Sequence, residues 1–296
     1  IFRFQNAPSA QYVTNILQWD GLEAKQLSFW ECDGLTTISA GGQPTFVANQ
    51  SLSTMFQGCN NLSNYFALST WDTTNVVNMS YMFASGNDMN PDVSSWNVSN
   101  VTNFNAMFSG NQTFNRDISG WNTSSAISMG GGMFFDCNIF NANISGWITT
   151  NVTNMNSMFN RAHAFNQPIG VWDTSSVTDM YGMFQEAKAF NQDLSNFDTS
   201  NVTNMGYMFT GSNTLFNQDI SMWNVSNLEN ANLMFFGTVG LSTANYNLLL
   251  EGWSTQVVKP NVPIWVDVTY NSTYQSYRDI LTSSPNNWVI NDDGPI

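Results

Sequence analysis

Large apolar side chains return along this chain at a nearly fixed interval. Trp71, Trp96, Trp121, Trp147, Trp172, Phe197 and Trp223 stand 25, 25, 26, 25, 25 and 26 residues apart. A Met-Phe pair keeps the same interval and places Phe83, Phe108, Phe134, Phe159, Phe184, Phe209 and Phe235, with an earlier copy at Met55-Phe56. Between them runs a Phe-Asn step giving Asn115, Asn141, Asn166, Asn191 and Asn217, with Asn90 in the same slot after Met89. Self-similarity at a period of roughly 20–50 residues marks a repeat architecture. One unit reads W-[DN]-T-S-N-V-T-N-M-x-x-M-F-x-x-A-x-x-F-N-x-D-I-S-x.

Within a unit the apolar positions fall three or four apart, as at Val152, Met155, Met158, Phe159, Ala162, Phe165, Ile169 and Trp172. Ser, Asn, Asp and Gly interrupt that near-helical spacing too often for one long helix, so it predicts a chain turning corners, each inward residue filling one layer. A lone unit cannot bury its Trp, Phe and Met; stacking like on like can. The expected fold is therefore a repeat solenoid of the leucine-rich-repeat kind, with short parallel strands, short helical turns and about 25 residues per coil. The helical turn is assigned to N-M-x-x-M-F-x-x-A, capped by Ser or Asn just upstream. Two β-branched segments compete for the strand, D-I-S-x-W-[DN] and N-V-T-N, and the first is favoured. Coils that all run one way pair in parallel.

The ends lack the regular pattern. Residues 1–50 read as an N-terminal cap with atypical first coils, 51–240 as the regular repeats, and 241–296 as a C-terminal cap, together one continuous domain. In the last segment 243–252 and 272–283 are predicted as amphipathic helices, and Trp288-Val289-Ile290 as a closing strand. Two polar columns, Asn90 to Asn217 and a second at Asn75, Asn100, Asn151, Asn201 and Asn227 with Ser125 and Ser176 in register, are expected to be structural ladders, because a polar group inside a stack must be hydrogen-bonded.

Charge narrows the partners. Charged residues are only 9% of the chain, Lys+Arg 7 against Asp+Glu 21, for a net −14 and a pI near 4.1. Nucleic acid and anionic membrane both require a basic face and are disfavoured. No apolar run is long enough to insert in a bilayer, and the first residues lack signal-peptide character, so the numbering is expected to start on a mature chain or a fragment. Three cysteines are too few for a disulfide framework. Cys32 and Cys59 occupy equivalent slots of neighbouring coils and form a candidate disulfide, with free thiols slightly favoured; Cys137 shares the small slot of Ala162 and Ala187.

The pattern W-D-T-S-x-V-T-x-M-x-x-M-F-x-x-A-x-x-F-N-Q-D-L-S, carried by residues 172–195, resembles the BspA-like leucine-rich-repeat surface proteins. Phe29 to Leu35 and Phe56 to Leu62 are similar to that family's F-x-x-C-x-x-L form. Residues 241–253, with Tyr274, Arg278, Leu281 and 288–294, resemble its closing segment. The resemblance covers residues 50–240 directly and implies a secreted or surface-displayed leucine-rich-repeat solenoid without a catalytic residue. The coil from Asn122 to Trp147 departs from it: glycines fill 130–132 and the Asn-Val pair is lost, so a looser register is expected there.

Candidate chemistry is sparse. The single histidine, His163, lies in an R-A-H-A-F turn, and a regular stack offers no deep cleft, so neither an enzyme nor a cofactor is expected. Asp92, Asp117, Asp193 and Asp219 share one slot, and Asp72, Asp173 and Asp198 another; their oxygens could hold Ca²⁺, although turn capping explains the same pattern. Among the glycosylation sequons, Asn111, Asn122 and Asn271 are the first candidates. The leading expectation is adhesion or binding to a protein or glycan at a cell exterior. The alternative is a filament or coat of stacked copies, with Ile1-Phe2-Arg3-Phe4 as its hint. Ice binding through Thr102, Thr153, Thr178 and Thr203 ranks last, because Val77, Ile127 and Glu229 break that row.

Overall fold

The computed structural model describes residues 2–3, 12–19, 27–39, 43–86, 89–211 and 214–296. Its strands are short and parallel. β1 (Phe2–Arg3) pairs with β3 (Leu27–Ser28), β2 (Asn15–Ile16) with β4 (Thr37–Ile38), and β5 (Gln50–Ser51) with β6 (Val76–Asn78). From β6 onward the pairing continues residue by residue: Asn78 with Asn103, then Ser128, Asn154, Asp179, Asn204 and Asn230, each parallel to the next. The run ends in a three-stranded sheet of β7 (Ala231–Phe235), β8 (Pro263–Val266) and β9 (Val289–Asn291). Helical elements among the described residues include 3-10 turns at Phe66–Thr70 and Ser272–Tyr274, α1 (Thr243–Ser254) and α2 (Gln275–Thr282).

Two local expectations are corrected. The strand lies in N-V-T-N, not in D-I-S-x-W, since the single-residue pairs fall on the Asn, Ser or Asp that ends V-T-N. The D-I-S-x-W carbonyls instead receive indole hydrogens: Trp147 Nε1 donates to Ile118 O at 3.1 Å and Trp172 Nε1 to Ile144 O at 3.1 Å. Nor is N-M-x-x-M-F-x-x-A helical. Its N–H groups alternate, Met82 donating back to Met79 O within the coil while Tyr81 and Phe83 donate to Asn105 O and Met107 O of the next coil. A helix spends every interior N–H on its own turn; here every second one joins coil to coil. The alternation requires left-handed backbone at the residue before Met-Phe, as at Tyr81 (φ 57°), Ala106 (φ 52°), Ser157 (φ 54°) and Tyr207 (φ 59°).

The core is three columns of rings. Phe83, Phe108, Phe134, Phe159, Phe184, Phe209 and Phe235 lie on one another, with centroids 5.8 Å apart at Phe108–Phe134 and Phe134–Phe159. The Trp column shows the same offset stacking, at 6.2 Å for Trp71–Trp96 and 5.9 Å for Trp121–Trp147. Phe114, Phe140, Phe165, Phe190 and Phe216 form the third, packed against the first at 3.8 Å in Phe108–Phe114 and Phe159–Phe165. The separations within each column suit offset aromatic pairs, whereas the 3.8 Å contacts between columns are closer face-to-face stacks. Every ring in the columns is buried.

At the C-terminal end Ser242 caps α1 by accepting from Asn245 N, and Tyr246, Leu249, Leu250 and Trp253 bury against the last coil. Trp253 extends the indole series by donating to Ile220 O. Arg278 of α2 pairs with the buried Asp292 at 2.8 Å, which also accepts from Tyr246 Oη at 2.6 Å. At the other end Phe29 already stacks on Phe56 at 5.8 Å, so coil-like packing begins before residue 50.

Candidate binding surface

Four polar series hold the coils in register and leave the remaining surface for other uses. In the first, each Asn side chain accepts the backbone N–H of its counterpart one coil on. Asn141 N donates to Asn115 Oδ1 at 2.9 Å, Asn166 N to Asn141 Oδ1 at 3.0 Å, Asn191 N to Asn166 Oδ1 at 3.0 Å and Asn217 N to Asn191 Oδ1 at 2.8 Å. Asn90 Oδ1 serves Asn115 N in the same way, and Asn90 N itself donates to Tyr65 Oη. In the second series Asn100, Asn151, Asn201 and Asn227 donate Nδ2 to carbonyls of the preceding coil at 2.7–2.9 Å, with the hydroxyls of Ser125 and Ser176 substituting. Both columns therefore bond backbone, and in the first the Asn141, Asn166 and Asn191 Oδ1 atoms also accept from the Gln167, Gln192 and Gln218 side-chain amides of the next coil at 2.8–3.0 Å.

The other two series were not anticipated. Thr73, Thr123, Thr149, Thr174 and Thr199 are buried two residues after the ring, and each Oγ1 donates to the next coil at 2.8–3.0 Å. The recurring Thr in W-x-T was the available signal, interrupted only where Val98 and Val225 fill the slot. The fourth series is the indole N–H bonds of the Trp column.

The acidic slots are occupied by turn chemistry. Asp92, Asp117, Asp193 and Asp219 each accept the N–H of the Ser two residues on, at 2.8–3.2 Å; Asp173 and Asp198 do the same, and Asp72 accepts from Thr74 N. Bonds from Ser94 hold the Asp92 carboxyl below the usual range, with Arg116 adding to the effect; Ser119, Ser175 and Ser195 do so for Asp117, Asp173 and Asp193. Among the described residues no three His, Cys, Asp or Glu side chains gather to hold a metal ion; each of the proposed calcium carboxylates is engaged in its own turn.

The other candidates scatter. No disulfide links Cys32 and Cys59, both of which are buried thiols: Cys59 Sγ donates to Phe29 O and Cys137 Sγ to Phe108 O, each at 3.1 Å. Burial pushes the Cys32 and Cys59 thiols up to about 11 and about 12. Asn111 is fully buried with Nδ2 on Phe83 O at 2.6 Å, which removes it as a glycan site. It fills the Cys137 and Ala162 slot, an alignment that already marked it as interior. Asn122 and Asn271 remain exposed. His163 is half-buried, and burial, then Lys188, lowers its pKa. Ile1 and Phe4 lie outside the described residues.

What is left outward varies from coil to coil. The row Val77, Thr102, Ile127, Thr153, Thr178, Thr203 and Glu229 carries a continuous backbone ladder, Thr178 N donating to Thr153 O and Thr203 N to Thr178 O. A few residues on, the slot after Met79 and its equivalents is mixed: Ser80, Gly130 and Gly206 are buried, Asn105 and Asn156 half-buried, and Tyr181 and Asn232 exposed, and the rings of Tyr181 and Tyr207 meet at 5.3 Å.

A family model described as "Mycoplasma protein of unknown function, DUF285" matches residues 50–147 and again 130–253. No curated protein and no solved structure matches the chain.

Proposed function

Because the chain belongs to that DUF285 family, whose description assigns no activity, we propose its function from the geometry: a non-enzymatic binding or adhesion protein, built as a leucine-rich-repeat-type solenoid of the BspA-like kind and working at a cell exterior. One observation carries the reading. Inward slots repeat the same residue types in nearly every coil, while an outward row on the same frame changes from Val77 to Thr102, Ile127 and Glu229. Stability requires the first kind of slot and is nearly indifferent to the second, so variation there presents a patterned surface on a fixed scaffold. Repeat proteins bind extended partners through such surfaces. The mixture of Tyr, Asn and Thr suits a protein or glycan partner, and the net charge of −14 disfavours polyanions.

The test displays the full chain on beads and measures retention of cell-surface protein and glycan fractions at physiological salt. Retention that falls when Tyr181 and Tyr207 are changed to Ser, with unchanged melting, supports the reading; no retention of any fraction defeats it. A filament of stacked copies is the second reading, favoured by the outer edge of β9, where Val289 is 54% exposed. Light scattering across a concentration series separates the two, since a filament subunit grows in mass where a lone binding module does not.

A further inference from the structure

The regularity of the stack breaks at one surface slot, the position five residues before each coil's aromatic. Phe66, Pro91 and Arg116 occupy it in three successive coils. Phe66 and Arg116 project while Pro91 between them is buried, so the short ring leaves a notch two coil steps wide. Parallel coils lie about 4.8 Å apart, which sets the walls roughly 10 Å from each other. The concavity measures about 160 Å³ and is lined by Tyr65, Phe66, Ser69, Asp92 and Arg116.

Each lining group is held and each keeps something to offer. Phe66 opens the 3-10 turn Phe66–Thr70 and is 83% exposed, an apolar side chain carried on the turn beneath it. Tyr65 Oη accepts from Asn90 N at 2.9 Å, leaving its own hydrogen to donate. Arg116 is tied by Nε to Asn90 O at 3.0 Å, which aims its two Nη groups without using them. Asp92 accepts from Ser94 N and Oγ through Oδ1, leaving Oδ2 as an acceptor.

We propose that this notch binds one pyranose ring of a neutral glycan, its apolar face on Phe66 and its hydroxyls shared between Tyr65 Oη, Asp92 Oδ2 and the Arg116 Nη groups. One positive and one negative side chain balance, which suits an uncharged polyhydroxylated ring. The volume admits a single ring and is below the roughly 300 Å³ at which drug-sized pockets begin. The proposal rests on the binding reading above and adds the ligand class.

The full chain is titrated with methyl pyranosides of glucose, galactose, mannose and their N-acetylamino forms, followed by NMR and calorimetry. A Kd on the order of 1 mM is expected for a single ring. Phe66→Ala and Arg116→Gln each weaken binding at least about tenfold. Melting stays unchanged, because both side chains are exposed; Val171→Ala, on another exposed slot, leaves binding as it was. Absence of any pyranoside binding, binding indifferent to both substitutions, or binding of free amino acids in place of sugars would each overturn the proposal. Retention of cell-surface protein without sugar binding sinks the notch alone. Sugar binding in the notch with no retention of any surface fraction sinks the broader function and leaves the notch.

Discussion

Two neighbouring coils solve the same problem with different chain lengths. In the coil ending at Trp172, Met155, Ser157, Phe159 and Arg161 donate in turn to the carbonyls of Asp179, Tyr181, Met183 and Gln185. In the coil ending at Trp147 one more residue must fit. Met129, Gly132, Phe134 and Asp136 make the corresponding bonds to Asn154, Asn156, Met158 and Asn160, and the surplus residue is taken up at Gly131 and Gly132, both left-handed at φ 58° and 73°. The looser register expected from the three glycines is absent in the core, where Phe134 keeps 5.8 Å to the rings on either side. The extra residue behaves as a bulge: the backbone absorbs it locally and the columns do not register it.

The sharpest test of that equality is to cut the same ring from both coils. Phe134→Ala and Phe159→Ala should each cost about 3–5 kcal/mol in denaturant unfolding, and to a similar extent. A much smaller loss for Phe134 would mean that the long coil is packed less tightly than its neighbour. Gly130→Ala should cost about 1–3 kcal/mol, since a Cβ there would stand 2.3 Å from Asn154 Oδ1; calorimetric melting reads it directly. Thr123→Val is expected to cost more than Thr174→Val. Thr123 Oγ1 both donates to Ile148 O and accepts from Ile148 N, whereas Thr174 Oγ1 bonds only Asp198 O. The second change should cost about 1 kcal/mol; equal losses would show that the additional bond contributes nothing.

The smallest effect is electrostatic and belongs to the regular coil. Ser175 bonds lower the pKa of Asp173, and Ser195 bonds that of Asp193. A carboxyl whose folded pKa is depressed contributes stability that is fully present above its unfolded value of about 4 and is lost as pH falls through the folded value. Asp173→Asn keeps the turn acceptor, as Asn122 shows in the long coil by accepting from Ser124 N at 3.1 Å. The variant should therefore flatten the acid limb of a melting-versus-pH curve, matching the parent chain at low pH and melting slightly lower at neutral pH. A curve that still drops as steeply would assign the acid limb to other groups.

The columns were legible in the sequence because a large ring recurring at a fixed interval has few ways to be buried except on its own kind. The two Asn columns were legible for the same reason of constant offset. What the pattern could not distinguish was the direction of individual N–H groups. D-I-S-x-W and V-T-N are equally β-branched, and only the indole bonds to Ile118 O and Ile144 O show that the first is already engaged. The helical misreading of the Met-Phe stretch has a similar origin, because Tyr81, Ser157 and Tyr207 give no hint of left-handed backbone. Gly132 and Gly182 in that slot, and Gly58, Gly110, Gly211 and Gly237 two residues after the Phe, were the cue. The notch was invisible because it depends on a small residue between two large ones across coils, which no single repeat contains.

The hydrogen bonds that tie each regular coil to the next also set how the protein would yield under load. Pulled along the chain from its ends, it would not give way at once but peel one turn at a time. Each release would add the contour of about 25 extended residues, roughly 80–90 Å. A tether on such a molecule would lengthen in equal increments while the turns still wound kept their grip.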